Sequence, residues 1–442
     1  MVKNGFLAHV IERTLQEKRK NGWGRVVRKC FGYIGKKIEE KRLEPFFADG
    51  HPERLYDSEY QDDIDFYGQT SEIKPVAFYL PQFHTFPEND AWWGHGFTEW
   101  TNTKKAVPRF DGHYQPRVPH RDIGYYKLDD AKVIRQQAIL AKNHGIYGFA
   151  FYYYWFSGKR LMEKPIDLLL EHPEIDIHFC LCWANENWTR AWDGGESEIL
   201  MEQDYTRQDA ENFISDIRKY IMDARYIRVD NKPVILVYNA DEIKNVKKVF
   251  QTWREYAVKE GVGEICIWTC QTKSTAKVLG ISRYIDAEVE FPPHNMRWKQ
   301  MYINQIRLTE GKEAILCDYH KQVQGIVARM KKTRKSAKQK PLYYCCMLGW
   351  DNAARRMNGW TSYLYFSLED FYRWVNEIVQ QTRKNHAANT RFFFINAWNE
   401  WAEGTYLEPD EKFGYASINT FSKALYEMDF DGNTERKSNE AE

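Results

Sequence analysis

Two acids stand three positions apart in the run Asn396-Ala397-Trp398-Asn399-Glu400-Trp401-Ala402-Glu403-Gly404. On an extended strand, residues so spaced point to opposite faces; once the chain begins to turn, they face the same way. Paired carboxylates in an aromatic, partly dry pocket acquire separated pKa values, so one holds a proton while the other is ionised. Chemistry at a glycosidic bond needs that pairing: one group protonates the departing oxygen and the other acts as base or nucleophile. Glu400 and Glu403 are therefore the candidate catalytic pair.

Other chemistry-bearing residues fall in short clusters. Trp183, Asn185, Glu186, Trp188, Arg190, Trp192 and Asp193 share one run, a set suited to stacking on sugar rings and hydrogen-bonding their hydroxyls. Tyr79, His84, Trp93, Glu99 and Trp100 form a second set. Tyr152, Tyr154 and Trp155, with Trp350 and Asp351, are read as an aromatic rim, and Trp398 and Asn399 flank the first acid. All except Trp155 are taken as substrate-binding candidates. Nothing cradles phosphate: there is no Walker loop, and Gly94-His95-Gly96 lacks the third glycine of a dinucleotide fingerprint. The triplets Asp63-Ile64-Asp65 and Asp429-Phe430-Asp431 lie outside the regular pattern and read as chance matches to a metal-holding motif. The expectation is no metal and no cofactor.

These residues must be placed by something, and from Lys74 onward the chain repeats one rhythm: a short apolar run, a loop, then an amphipathic stretch. Strands are expected at 76–80, 147–153, 177–182, 234–238, 265–269, 285–289, 342–347 and 392–397. Near-continuous apolar runs mark parallel strands covered on both faces. Helices are expected after the cap pair Asp129 and Asp130, with Gly145 as a stop, and at about 207–223, 242–259, 317–331, 368–382 and 415–427. Eight such units predict an α/β fold, a (β/α)8 TIM barrel whose strand-end loops converge on one mouth. The expected domains are a basic helical extension and linker over 1–72, the barrel over 73–428, and a polar tail over 429–442.

Composition narrows the class. Lys plus Arg (63) nearly cancels Asp plus Glu (62), so no overall field draws in nucleic acid. Aromatic residues reach 16%, with 16 Trp and 28 Tyr, which favours a ring-shaped ligand. Cys180, Cys182, Cys266, Cys270, Cys345 and Cys346 lie in apolar strand-like runs and are expected to be reduced and structural. No run is long and apolar enough to span a bilayer and no signal peptide is evident, so a cytoplasmic location is expected. Residues 1–43 hold 12 Lys or Arg against 4 Asp or Glu, with apolar residues at helical spacing. Peripheral contact with an anionic membrane and a helical arm packed on protein both fit that pattern.

The stretches FYLPQFH, WWGHGFTEWTN, GFAFYYYWFSGKRL, CWANENWTRAWDG and AWNEWAEGTYLEPD resemble the WbsX-type proteins of bacterial surface-polysaccharide gene clusters, which are glycoside hydrolase family 99-like. The likeness runs from about Lys74 to Tyr426. Family 99 enzymes are retaining endo-acting α-mannosidases and mannanases on a (β/α)8 barrel. The resemblance implies that Glu403 is the general acid, later the base, and that Glu400 is the base acting on the sugar's own 2-hydroxyl to give a transient 1,2-anhydro sugar. Where the family 99 motif commonly carries His, this chain has Ala402, so part of the subsite must differ. The implied substrate is an oligo- or polysaccharide, in one form lipid-linked, of an O-antigen or capsule type. Two other readings stand beside it: a lipopolysaccharide or capsule glycosyltransferase, and a carbohydrate-binding barrel without activity.

Overall fold

A strand that is apolar on both faces needs cover on both. Eight segments of this chain find that cover by closing on one another. The computed structural model describes residues 55–57, 59–190, 195–296, 300–301, 314–332, 340–428 and 430, and the expectations attached to residues 1–43 and 431–442 lie outside the described residues. These residues belong to one unit, Glu53–Met301 with Leu308–Glu442.

The barrel strands are β1 (Lys74–Tyr79), β2 (Gly148–Phe156), β3 (His178–Trp183), β4 (Lys232–Val237), β5 (Cys266–Gln271), β6 (Ala287–Glu290), β7 (two pieces, Leu342–Tyr343 and Cys345–Met347, flanking Tyr344) and β8 (Phe392–Asn396). Each pairs in parallel with its neighbour from β1 through β6. The first piece of β7 continues the ladder from β6 and the second passes it to β8. Pairing of β8 with β1 closes the ring and leaves no open edge. All eight expected strands are present, with ends shifted by at most three residues.

The helices follow from local signals. Asp130 caps α1 (Ala131–Asn143) by accepting from Lys132 N, and Gly145 takes a left-handed φ of 82° just past its end. Next come α2 (Lys164–Glu171), α3 (Arg207–Ile221), capped by Thr206, and α4 (Val246–Lys259). The expected start of α4 at 242 is late in the structure because Asn245 adopts a left-handed φ of 55°, separating a 3₁₀ turn from the helix. Further along come α5 (Ala276–Leu279), α6 (Tyr319–Lys332), α7 (Leu368–Asn385) and α8 (Ala416–Leu425), and two short helices, Pro87–Trp93 and Glu99–Lys105, lie in the connection after β1. Short α2 and one-turn α5 have too few residues to show a helical period.

Two expectations change. The barrel unit begins upstream of 73: Gln61 N donates to Phe413 O, Tyr415 N donates to Gln61 O, and Phe66 stacks on Tyr426. Asp63 of the first acidic triplet pairs with His144 on this seam. Aromatic richness is also largely a property of the core. Trp183, Trp253, Trp268, Trp360, Trp374, Trp398 and Trp401 are fully buried, and Phe78 meets Tyr152, Phe291 and Phe394 inside the ring. All seven described cysteines are free and buried. No helix among the described residues is long and apolar enough to cross a membrane.

Candidate active site

The acids are aligned by a single tight turn. After β8 the chain makes a 3₁₀ turn, Trp401–Glu403, with Glu400 as its N-cap; at three residues per turn, positions 400 and 403 lie over one another. Gly404 ends the turn at φ 63°, where an added Cβ would come 3.0 Å from Asp351 Cβ and 3.1 Å from Asp351 N. Asp351 N in turn donates to Glu403 O at 2.6 Å. The turn is thereby fastened to the segment after β7.

Asn399 fastens it to the segment after β1. Its Oδ1 accepts from Leu80 N at 2.8 Å and its Nδ2 donates to Leu80 O at 3.0 Å. Trp401 stacks on Tyr406 at 3.8 Å, and its indole N–H donates to Glu408 at 2.7 Å. Glu408 also accepts from Tyr126 Oη and Gln137 Nε2, and burial lifts its carboxyl to about 7.

Asp351 organises the neighbouring segment. Its Oδ2 meets His113 Nε2 at 2.5 Å and accepts from Gln115 Nε2 at 3.0 Å, while its Oδ1 caps the 3₁₀ turn Asn352–Ala354. The next residue, Arg355, enters the mouth and contacts three acids. Nε reaches Glu99 Oε1 at 2.7 Å, Nη2 reaches Glu400 Oε2 at 2.7 Å, and Nη1 reaches Glu403 Oε1 at 2.6 Å. Glu99 is fully buried, the Glu400 side chain is 6% exposed, and that of Glu403 is 21% exposed, so the second catalytic candidate faces outward along the mouth. Burial raises the Glu400 carboxyl to about 8; Arg355 opposes that rise, and Glu403 and Glu99 add to it. Three carboxylates around one guanidinium leave a surplus of negative charge in a dry place, and a proton on Glu400 relieves it.

In front of these acids is a cavity of about 180 Å³, lined by Tyr152, Tyr154, Ala184, Glu186, Asn187, Trp188, Tyr238, Phe291, His294, Arg355, Glu400 and Glu403. Burial first, then the Glu400 carboxylate, holds the phenols of Tyr152 and Tyr154 above their ordinary range, so both remain hydrogen-bond donors. Glu186 accepts from Asn239 Nδ2 at 2.6 Å. Trp188 packs against Phe86, Trp92, Tyr154 and Phe156.

Of the expected site residues, Glu400, Glu403, Tyr152, Tyr154, Glu186 and Trp188 line this cavity, and Glu99 joins it through Arg355. Others are corrected to supporting roles. Side chains alternate along a barrel strand between the ring and the helix layer. Tyr79 points outward and donates to Gln137 on α1. Trp183 packs against Phe213 and Trp253 of α3 and α4, and Trp155 donates to Asp209 on α3. Trp398 lies against Phe149 with no exposure. Asn185 is spent on both backbone groups of Asn239. Asn399 holds the backbone of Leu80, and Asp351 holds His113, Gln115 and the backbone of Ala353.

Trp100 donates to Tyr126 O, Trp93 packs on Phe97, and Trp350 is buried edge-on to His294. His84 bonds Pro81 O through Nδ1, and burial lowers its pKa. Arg190 has only its backbone described, in the strand Trp188–Arg190; Trp192 and Asp193 lie outside the described residues. Asn187, the second asparagine of the Trp183–Asp193 run, also lines the cavity, and sequence reasoning missed Arg355, Tyr238, Phe291, His294 and Ala184. Position was the available signal: Tyr238 directly follows β4, and Phe291-Pro292-Pro293-His294 follows β6.

A closed parallel barrel with two acids and an aromatic-lined cavity at the carboxyl ends of its strands has the architecture of glycoside-hydrolase barrels. Residues 75–421 match the family described as glycosyltransferase WbsX, and the chain belongs to that family. It is 40% identical over 355 residues to the uncharacterized protein WxcX of Xanthomonas campestris pv. campestris, covering 79% of this chain and 49% of that protein, so the chain spans about half the length of the curated relatives it matches. Among solved structures, a glycoside hydrolase-like protein superposes with a TM-score of 0.53 at 14% identity, covering 85% of this chain and 99% of the other. The family 99 endo-α-mannosidase of Bacteroides thetaiotaomicron gives 0.50 at 13% identity, covering 81% and 97%. At such identities the likeness establishes the shared fold.

Proposed function

We propose that this barrel is a retaining carbohydrate-active enzyme working on α-mannoside-like linkages of a bacterial surface polysaccharide or its O-antigen or capsule precursor. One observation carries the reading: a single 3₁₀ turn at the carboxyl mouth stacks Glu400 and Glu403 beside one another on a cavity lined by Tyr152, Tyr154 and Trp188. In the first step Glu400 takes the proton of the sugar 2-hydroxyl, whose oxygen attacks C1. The C1–aglycone bond breaks and the leaving oxygen takes a proton from Glu403. In the second step Glu403 removes a proton from water or an acceptor hydroxyl, which opens the 1,2-anhydro ring at C1, and O2 recovers its proton from Glu400. Two inversions at C1 give retention. The proton that Glu400 holds in the ligand-free site must leave before Glu400 acts as base, so this step gains as pH rises through about 8.

The family description favours a second reading, in which another sugar replaces water as acceptor through the same two acids. Digests of mannan-type oligosaccharides in ¹⁸O-water, followed by mass spectrometry, separate the two: hydrolysis labels the new reducing end, and transfer yields longer unlabelled products. If neither appears, the proposed activity is lost; if Glu400→Gln and Glu403→Gln both turn over like the wild type, the two-acid mechanism is lost. Tight binding of a nucleotide-diphosphate sugar with metal-dependent product formation would instead mark a nucleotide-sugar transferase. Synthesis of a lipid-linked precursor fits the cytoplasmic membrane face, to which the positive residues 1–43 would contribute. Flotation with anionic liposomes checks this, and equal recovery after removal of 1–43 counts against it.

A further inference from the structure

An arginine side chain offers Nε and one terminal nitrogen on a single edge, a fork that ordinarily grips one carboxylate with two bonds. Arg355 does not bind that way. Its Nε is taken by Glu99, and its two terminal nitrogens go to different acids, Nη2 to Glu400 and Nη1 to Glu403. Three separate segments meet at this one group: the helix Glu99–Lys105 after β1, the turn after β7, and the turn after β8. Glu99 is placed firmly. It is the first residue of its helix, its N–H donates to Gln82 O at 2.9 Å, and Ala106 at the end of that helix packs with Ala354 and Ala402 from the other two turns.

We propose that Glu99 and Arg355 are positioning residues for the reacting pair: Glu99 occupies Nε, which forces Glu400 and Glu403 onto separate nitrogens and so decides how the proton is divided between them. The proposal rests on the reading of those two acids as the reacting groups, but its test does not require turnover. The charged and titratable groups facing Glu400 are Arg355 from the β7 segment, Glu99 from the loop helix, Glu403 from its own turn, and the phenols of Tyr152 and Tyr154 from β2. Loss of the Glu99 charge removes a repulsion from Glu400 and frees more of the guanidinium, so Glu400 should release its proton at lower pH. Replacement of Arg355 by lysine keeps the charge but removes the three-way fork.

The experiment is a carboxyl-carbon NMR titration of the full chain labelled with ¹³C-glutamate and free of ligand, with the Glu400 resonance identified by its disappearance in Glu400→Gln. Glu99→Gln is expected to lower the Glu400 midpoint by about one pH unit, and Arg355→Lys to raise it by a similar amount. An unchanged midpoint in either variant overturns the proposal. Should Glu99→Gln fail to fold, Arg355→Lys decides. A crystal structure of the wild-type chain is an arm free of variants: Nε and Nη2 gripping one acid together would overturn the proposal, and three separate partners would support it. Absence of turnover on every glycan would remove the proposed enzymatic reading while leaving this titration result standing.

Discussion

Glu400 is crowded by two other acids and one guanidinium in a place with little water, and its proton balance follows from that crowding. Its carboxyl is raised to about 8, so at neutral pH most of the ligand-free protein holds this proton. If Glu400 is the base, kcat/KM should climb as pH rises through about 8, close to tenfold per unit on the acid side. A profile measured from about pH 6 to about pH 9 that falls instead would give Glu400 the donor's part. Glu400→Gln and Glu403→Gln should each cost about 10² to 10⁴-fold in turnover, read from initial rates on the same glycan. Glu408 is raised too, from 4.5 to about 7, and here the consequence is stability. A carboxyl raised in the folded state stabilises fully below its unfolded value, and that contribution is lost as pH rises through about 7, a swing of roughly 3 kcal/mol. Glu408→Gln should therefore show a smaller drop in Tm between about pH 5 and about pH 7.5 than the wild type; parallel curves would refute the assignment. Glu400 and Glu403 were legible from the acid spacing and the tryptophans beside them. Arg355 was not, because an arginine four residues beyond Asp351 looks like any surface arginine until three segments converge on it.

Turns and strands carry their own constraints. Gly404 combines a left-handed φ with contact against Asp351, so Gly404→Ala must either push the 3₁₀ turn off the β7 segment or strain it by about 1 kcal/mol. Activity should fall at least roughly tenfold while Tm moves only a few degrees, since a small displacement of Glu403 matters more to chemistry than to packing. Gly148 in β2 is different: a Cβ there would lie 2.5 Å from His178 O on the neighbouring strand. Gly148→Ala should cut the yield of folded protein, measured by size-exclusion chromatography, because the clash is with backbone inside the ring. The strands were readable because apolar runs covered on both sides admit few alternatives. Face assignment was harder. In Tyr152-Tyr153-Tyr154-Trp155 the first and third side chains enter the cavity, while the second and fourth bond Asp216 and Asp209 on α3. Aromatic identity alone gives no parity, so Tyr79, Trp183 and Trp398 were assigned to sugar when they belong to the layer between strands and helices.

Across the whole molecule, aromatic mass serves mainly to fill the ring and the space beneath the helices, and the ligand-facing share is small. The seven described cysteines are part of that packing. They should react with Ellman's reagent only after denaturant is added, and rapid labelling of any of them in the native protein would contradict the burial. The eight-fold rhythm was visible from residue 74 onward, whereas the stretch 59–69 was not, because it joins the barrel through backbone bonds and isolated side-chain contacts, such as Phe66 on Tyr426, that leave no periodic pattern. The joining of three loops at a single guanidinium also bears on redesign. Swapping any one of those loops from a homologue would strand charges supplied by the other two, so such chimeras should tolerate exchange only as a matched trio. Ala184–Asn187 borders the same cavity and takes no part in those three contacts. Altered sugar preference is therefore most accessible there, by grafting that stretch alone.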